Sequence, residues 1–157
     1  MELAKSLIDE LGRYIGIDGL ALDEKGLCTL VFDEHIVVTF VASDSFLSAL
    51  CYIAEREDAP FFRQLLEANF AWQETGGGTF AVEPKTSRVV LSMKWPLAGF
   101  TFQLLVDELE KFVNASEAWR KVAAGEEAAA PSADAPAAAD GKPAGGDTLP
   151  RPGTRYV

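Results

Sequence analysis

The fold is decided by the stretch Leu27-Cys-Thr-Leu-Val-Phe-Asp-Glu-His-Ile-Val-Val-Thr-Phe-Val41. Its two halves are rich in β-branched and other apolar residues, and the acidic pair Asp33-Glu34 separates them. Strand-forming runs on both sides of a tight polar turn predict an antiparallel hairpin. A third apolar run, Phe46 to Ile53, follows the turn at 42–44 and predicts a third strand, although its Leu and Ala content would also suit a helix.

Three other segments carry apolar residues at helical spacing. The first spans 3–15 and ends before a glycine, which commonly terminates helices. Asp58 and Pro60 predict the N-cap and first turn of a second helix, 58–70. A last helix is predicted over about 100–124. The apolar stripe predicted for the second helix consists of Phe61, Phe62, Leu65, Leu66 and Phe70.

The remaining pattern completes an α+β domain. Thr79–Glu83 and Arg88–Trp95 predict a second hairpin around 84–87. The element order is then α-β-β-β-α-β-β-α. A mixed order with short turns is typical of an α+β fold, here an antiparallel twisted sheet of about five strands with three helices.

The end of the chain differs in composition from the rest. Residues 125–157 are rich in Ala, Pro, Gly and Asp and offer only Leu149, Tyr156 and Val157 as large apolar groups. So few apolar groups cannot offset the entropy lost on ordering. We therefore predict one folded domain over 1–124 and a disordered Ala/Pro-rich tail over 125–157.

The charge of the chain restricts its partners. The formal net charge is −10, of which the tail contributes −2 (five acidic and three basic residues), so the domain carries −8. Such a domain repels phosphate backbones, and nucleic acid is not an expected partner. No stretch approaches the roughly 20 apolar residues of a membrane span, and the chain begins directly with a helical pattern. The expected location is the cytoplasm, with no membrane contact.

The first strands are apolar on both of their faces. Successive side chains of a strand point to opposite faces, yet both the even-numbered and the odd-numbered residues of 27–32 and 36–41 are largely apolar. Three helices are too few to cover both faces of a five-stranded sheet. One face is then an exposed interaction surface, unless a helix or a second subunit covers it.

The sequence offers no recognisable catalytic or metal-binding motif. Cys28 and Cys51 lie within apolar runs and are expected to be buried thiols, and His35 is expected to be an exposed turn residue without a nucleophile partner. The glycines at 76–78 follow a helix and precede a strand, which is the reverse of the order in a phosphate-binding loop. No enzymatic activity, metal or cofactor is expected.

In its overall pattern the chain resembles the type III secretion chaperones, the small dimeric chaperones of translocated bacterial effectors. The residues that carry the resemblance cover about 3–121 in the order that the family shows. They are Leu7-Ile-Asp-Glu-Leu-Gly12, 27–33, Leu65-Leu-Glu-Ala-Asn-Phe70 with Thr75-Gly-Gly-Gly78, Val89-Val-Leu91 with Trp95-Pro-Leu-Ala-Gly99, and 109–119.

The resemblance implies an acidic, cofactor-free homodimer in the bacterial cytoplasm that binds the extended N-terminal segment of a secreted effector and keeps it competent for secretion. The ATPase of the secretion apparatus is a further candidate partner. The expected effector-binding residues are Leu27, Val31, Val37, Thr39 and Leu47. The expected dimer-interface residues are Phe61, Phe62, Leu65, Asn69, Trp72 and Val90.

Two alternatives remain at this point. The first is a dimeric regulator or adaptor that has the same fold but is not tied to secretion. The second is a small enzyme that uses Cys28 or His35.

Overall fold

The computed structural model describes residues 1–126 and the pair Arg155–Tyr156 of the 157-residue chain. The predicted order of three helices and five strands is confirmed, and a short sixth strand follows them. The elements are α1 (Glu2–Ile15), β1 (Leu27–Phe32), β2 (Ile36–Ala42), β3 (Phe46–Glu55), α2 (Ala59–Ala71), β4 (Thr79–Val82), β5 (Arg88–Pro96), α3 (Phe102–Ala123) and β6 (Arg155–Tyr156).

The strands form one antiparallel sheet in the order β4-β5-β3-β2-β1-β6. β1 and β2 are joined by the predicted turn, in which Asp33 and Glu34 both have positive φ, as tight hairpins require. The third apolar run is a strand, since β3 pairs with β2 on one side and β5 on the other. The register shifts between Tyr52 and Ala54, which marks a bulge near the end of β3.

One face of this sheet carries the hydrophobic core, and we call it the inner face. A row of paired residues crosses all five main strands there and is buried throughout. All three helices contribute to the same core cluster, for example through Ile8 of α1, Leu65 of α2 and Phe112 of α3. The row consists of Leu30, Val38, Cys51, Leu91 and Phe80.

The link between α2 and β4 is held by hydrogen bonds within itself and by one to α3. The buried Thr75 hydroxyl lies within bonding distance of the carbonyl oxygens of Trp72 and Gly78, and the Trp119 indole donates to the carbonyl of Glu74 at 2.9 Å. Gly76 has φ +59, and a Cβ atom there would lie 2.6 Å from the Lys111 carbonyl oxygen. The glycine run therefore allows close approach of a loop to a helix, as expected for a helix end entering a hairpin.

The predicted tail falls largely outside the described residues. For 127–154 and for Val157, the prediction of disorder stays a prediction. It is wrong for Arg155–Tyr156, which pair antiparallel with Val31 and Leu30 of β1. Composition missed this pairing because two residues joined to an existing strand need backbone hydrogen bonds and no core of their own.

Candidate protein-interaction surface

The face of the sheet opposite the core is only partly covered, and we call it the outer face. Its central row crosses the same five strands one residue away from the buried row, and it mixes hydroxyl groups with a single large apolar side chain, which is half-buried. Two of its hydroxyls, on Thr29 and Thr39, are 3.2 Å apart. The row consists of Thr29, Thr39, Leu50, Ser92 and Thr79.

Two open grooves flank Leu50 on the outer face. The smaller has a volume of about 390 Å³ and an apolar floor. It is lined by Val37, Thr39, Leu50, Tyr52, Ala81, Val82, Glu83, Arg88 and Val90. The larger, of about 630 Å³, is lined by Val41, Ser48, Leu50, Trp72, Gly77, Thr79, Ser92, Met93 and Lys94.

Basic side chains stand beside aromatic rings at these grooves. The Lys94 ammonium lies 3.9 Å from the centroid of the Phe46 ring, and the Arg88 guanidinium lies 5.8 Å from that of Tyr52. Arg88 is also 3.9 Å from the Glu55 carboxylate. The outer face therefore combines apolar floors with charged groups of both signs, since Glu83 lines the smaller groove and Glu55 lies beside Arg88.

Four of the five predicted effector-binding residues lie on the outer face. Val37 is 42% exposed, while Leu27 and Thr39 are half-buried and Val31 is almost completely buried. Leu47 lies on the opposite face and is fully buried, so its placement in the groove is wrong. The reason is register: Leu47 pairs with Ala42, which belongs to the inner face.

The outer-face row of β3 that the prediction missed contains Leu50 and Tyr52. A usable signal was present in the sequence, since this row carries Ser48 and Tyr52 whereas the Leu47 row is entirely apolar. The more polar row of a strand belongs on the more exposed face.

A second apolar surface lies on α2 and β4, and we call it the α2–β4 patch. Phe70 is 89% exposed and Leu66 is 69% exposed, the highest values among the large apolar residues that the structure describes. Leu66 lines a groove of about 230 Å³ between the helix and the strand, and Phe70 lies one helical turn further along α2. The patch consists of Phe62, Leu66, Phe70, Ala81 and Val82, with Leu65, Asn69 and Phe80 at its base.

The predicted dimer-interface residues are divided among several environments. Phe61 and Leu65 are buried in the core of their own subunit. Asn69 bonds through its amide to both backbone groups of Phe80, at 2.8 and 3.3 Å, which closes the outer edge of β4. Trp72 and Val90 line the two outer-face grooves.

Three predicted dimer-interface residues line the groove of the α2–β4 patch: Phe62 at its surface, and Leu65 and Asn69 at its base. A single apolar stripe on α2 was therefore the wrong picture. The helix has one stripe toward the core (Phe61, Leu65, Ala68) and a second toward solvent (Phe62, Leu66, Phe70).

The two thiols and the histidine are not arranged for chemistry. Burial, together with the nearby Asp23 carboxylate, raises the pKa of Cys28 from 9.0 to about 11, and burial also raises the pKa of Cys51. A thiol held in its neutral form is a poor nucleophile. His35 is exposed in the β1–β2 turn, where its Nδ1 approaches the Asp33 carbonyl oxygen. Among the described residues, no group of His, Cys, Asp or Glu side chains could hold a metal ion.

None of the helices in the described part of the chain combines the length and the apolar character needed to cross a bilayer.

Sequence comparison identifies the family that has this architecture. The model of the Tir chaperone protein (CesT) family matches residues 6–120. The chain belongs to the Tir chaperone (CesT) family. It is 26% identical to the Tir chaperone of Escherichia coli O111:H- over 114 residues, which cover 71% of this chain and 73% of that protein. It is also 27% identical over 130 residues to the transcriptional anti-antiactivator ExsC of Pseudomonas aeruginosa PAO1, with 74% of this chain and 82% of ExsC covered.

Solved structures confirm the fold of this Tir chaperone family member. The crystal structure of the ExsC–ExsE complex matches with a TM-score of 0.68 and 25% identity over 77% of this chain and 93% of that chain. The structure of the HopA1–SchA chaperone–effector complex matches with a TM-score of 0.67 and 18% identity over 76% and 94%. The predicted family and α+β architecture are therefore confirmed, and the family is one of chaperones rather than enzymes.

Proposed function

We propose that this chain is a type III secretion chaperone that binds the extended N-terminal segment of a secreted effector along the outer face of its sheet. The observation that carries the proposal is the pair of open grooves on either side of Leu50, in a domain whose core is complete on the other face. Grooves with apolar floors accept side chains of an extended polypeptide, and main-chain groups at a sheet edge add affinity. Membership of the Tir chaperone family supports the same function.

We further propose that two copies pair through the α2–β4 patch. Phe70 and Leu66 expose large apolar surfaces that would gain about 25 cal/mol per Å² when removed from water. Both belong to one helix, so a twofold axis beside α2 would bring the two copies of the patch together. This arrangement leaves Val37 and Tyr52 of each subunit available to a client.

The proposal includes the setting in which the protein acts. It works in the bacterial cytoplasm without a catalytic step and presents its client to the secretion-apparatus ATPase. The raised pKa values of both thiols support a role that uses no nucleophile.

Client binding is tested by co-expression with candidate secreted effectors, followed by affinity purification. Val37→Asp places a charge on the groove floor and is expected to reduce the co-purified client by tenfold or more, an effect on the order of that from a hot-spot residue. Leu104→Asp is the matched control, because Leu104 is 44% exposed but lies on α3, away from the sheet. Equal capture of a client by wild type and Val37→Asp would reject the outer face as its site.

Dimerisation is tested by light scattering at micromolar concentration. Wild type is expected near twice the 16.9 kDa chain mass, and Phe70→Glu near that of a single chain. Leu104→Glu should remain a dimer. A monomeric wild type, or a dimeric Phe70→Glu chain, would exclude the α2–β4 patch as the interface.

A second candidate function is favoured by the match to ExsC, which is named as a transcriptional anti-antiactivator. A regulator of the same fold would bind another regulatory protein through the same surface. Deleting the gene separates the two functions. A chaperone predicts loss of a particular secreted protein with its transcript unchanged, whereas a regulator predicts altered transcript levels.

A further inference from the structure

The outermost of the five main strands, β4 and β1, each have one backbone position that is hydrogen-bonded by a side chain. At the β4 end, the Asn69 side chain bonds the backbone N–H and C=O of Phe80. At the β1 end, the Asp23 carboxylate accepts from the Leu27 amide at 2.8 Å and the Asp23 amide donates to the Leu27 carbonyl, also at 2.8 Å. Each of these residues blocks one position of its edge strand.

Beyond Leu27, the residues of β1 whose backbone groups can bind a further strand are Thr29 and Val31. Backbone groups of successive residues in an antiparallel strand point to alternate sides, so Thr29 and Val31 direct theirs to the same side as Leu27, away from β2. In the described part of the chain, the partner on that side of β1 is β6, where Arg155 lies opposite Val31 and Tyr156 opposite Leu30. The chain therefore places its own C-terminal residues on this edge.

The sequence of the C-terminal end suits this position better than the rest of the tail does. Thr154-Arg-Tyr-Val157 combines β-branched and aromatic residues, which favour strands, whereas 127–147 is mostly Ala, Pro, Gly and Asp. The last seven residues carry two arginines and no acidic residue, in a chain of net charge −10. The register places Arg155 near the end of β1 that leads to the acidic pair Asp33-Glu34.

The connection between domain and strand is long enough for this pairing. Residues 127–154 number 28 and could span up to about 90 Å when fully extended. Covalent attachment makes the pairing intramolecular, so that two paired residues are populated although they would not hold separate molecules together. Because only two residues pair, a longer strand can displace β6 from β1 easily.

We infer that the strand Arg155–Tyr156 acts as an intramolecular competitor that occupies the edge of β1 until an extended client segment displaces it. The inference rests on the proposed function, because the displacing partner is the client. Covering an open strand edge also hinders pairing between copies of this chain when no client is bound.

The first test uses amide hydrogen exchange on the full-length chain without any client. Arg155→Pro removes a backbone N–H that the pairing with Val31 uses, while Arg155→Ala keeps it and removes only the charge. We expect Arg155→Pro to speed exchange of the Val31 amide by about fivefold, the factor that one net backbone hydrogen bond corresponds to. The Leu30 amide, which points to β2, is the internal control and should not change. The Ala variant should speed exchange less than Arg155→Pro does. Equal exchange at Val31 in wild type and Arg155→Pro would overturn the inference.

The second test uses a synthetic peptide of residues 148–157 as the probe. Added to the full-length Arg155→Pro chain, it should shift the NMR signals of Thr29 and Val31, and the wild-type chain should show smaller shifts at the same peptide concentration because its edge is occupied. Identical shifts in both chains would contradict competition. These measurements involve no client, so they remain valid even if no client is found. If a client binds but Arg155→Pro has no effect, the competitor is rejected and the proposed function is retained.

Discussion

Two neighbouring rows of the same sheet differ in almost every physical property. The inner row, centred on Cys51, is apolar and buried at all five strands, whereas the outer row, centred on Leu50, combines threonine and serine with one leucine. The rows are one residue apart in every strand. The comparison shows that the hydrophobic core holds the fold from one side of the sheet, while the other side is only partly covered.

The strongest test of this comparison introduces one charged side chain on each face, in two separate variants. Leu47→Asp buries a carboxylate with no partner in the core and is expected to cost more than about 4 kcal/mol of stability. Val37 is 42% exposed on the outer face, so Val37→Asp is expected to cost no more than about 1 kcal/mol, the range of strand propensities. Urea unfolding followed by circular dichroism measures both variants.

Similar losses of stability in the two Asp variants would contradict the assignment of faces. Val37→Thr is the control for strand propensity, since it keeps the β-branched shape and should be close to wild type.

The second contrast concerns two glycines that share a left-handed backbone but have different surroundings. Gly76 has φ +59 and packs on the Lys111 carbonyl, whereas Gly99 has φ +76, and a Cβ atom added there would have no neighbour within 4 Å. Gly99→Ala should cost about 1–2 kcal/mol for the left-handed conformation alone. Gly76→Ala should cost about 1–3 kcal/mol more, because the loop must move away from α3. Equal thermal shifts for the two variants would show that the loop does not depend on this contact.

The sequence predicted the elements well because their signals are local. The β1–β2 hairpin, the Asp58 N-cap and the glycine-ended helix α1 all depend on residues close together in the chain, and all three are found. The predictions that failed concern contacts between residues that are far apart in the sequence. Leu47 was placed on the wrong face because its pairing with Ala42 fixes the face, and the one signal within the strand, the more polar row of Ser48 and Tyr52, was not used.

The candidate site could be predicted only in part. The apolar character of β1 and β2 predicted an outer interaction face, and Val37 and Thr39 line one of its grooves. Phe70 and Leu66 were assigned to one stripe with Phe61, because two apolar stripes on one helix do not show by themselves which of them meets the core. The β6 pairing with β1 joins residues more than 120 positions apart, and no local pattern encodes that contact.

The buried thiol of Cys28, on the inner face, is expected to make the free energy of unfolding depend on pH. Because the pKa of Cys28 is about 11 in the folded chain and 9.0 without burial, the folded state holds a proton that the unfolded state releases first as the pH rises. The free energy of unfolding should therefore fall between pH 9 and pH 11. Cys28→Ala should lose part of that slope, with urea unfolding at several pH values as the measurement. An unchanged slope in Cys28→Ala would show that this thiol is not shielded.

The smallest expected effect is on stability when the C-terminal part is removed. A chain ending at residue 126 lacks β6, which pairs through only two residues, and the core of the sheet and helices involves none of the deleted segment among the residues described. The melting temperature should fall by no more than about 4 °C, the shift that a net hydrogen-bond contribution of about 1 kcal/mol produces in a chain of this size. Scanning calorimetry of the truncated, Arg155→Pro and wild-type chains makes the test. A large fall in melting temperature on truncation, but not in Arg155→Pro, would show that the C-terminal part stabilises the domain through contacts other than β6. The contrast between a buried inner face and a partly covered outer face would then be wrong.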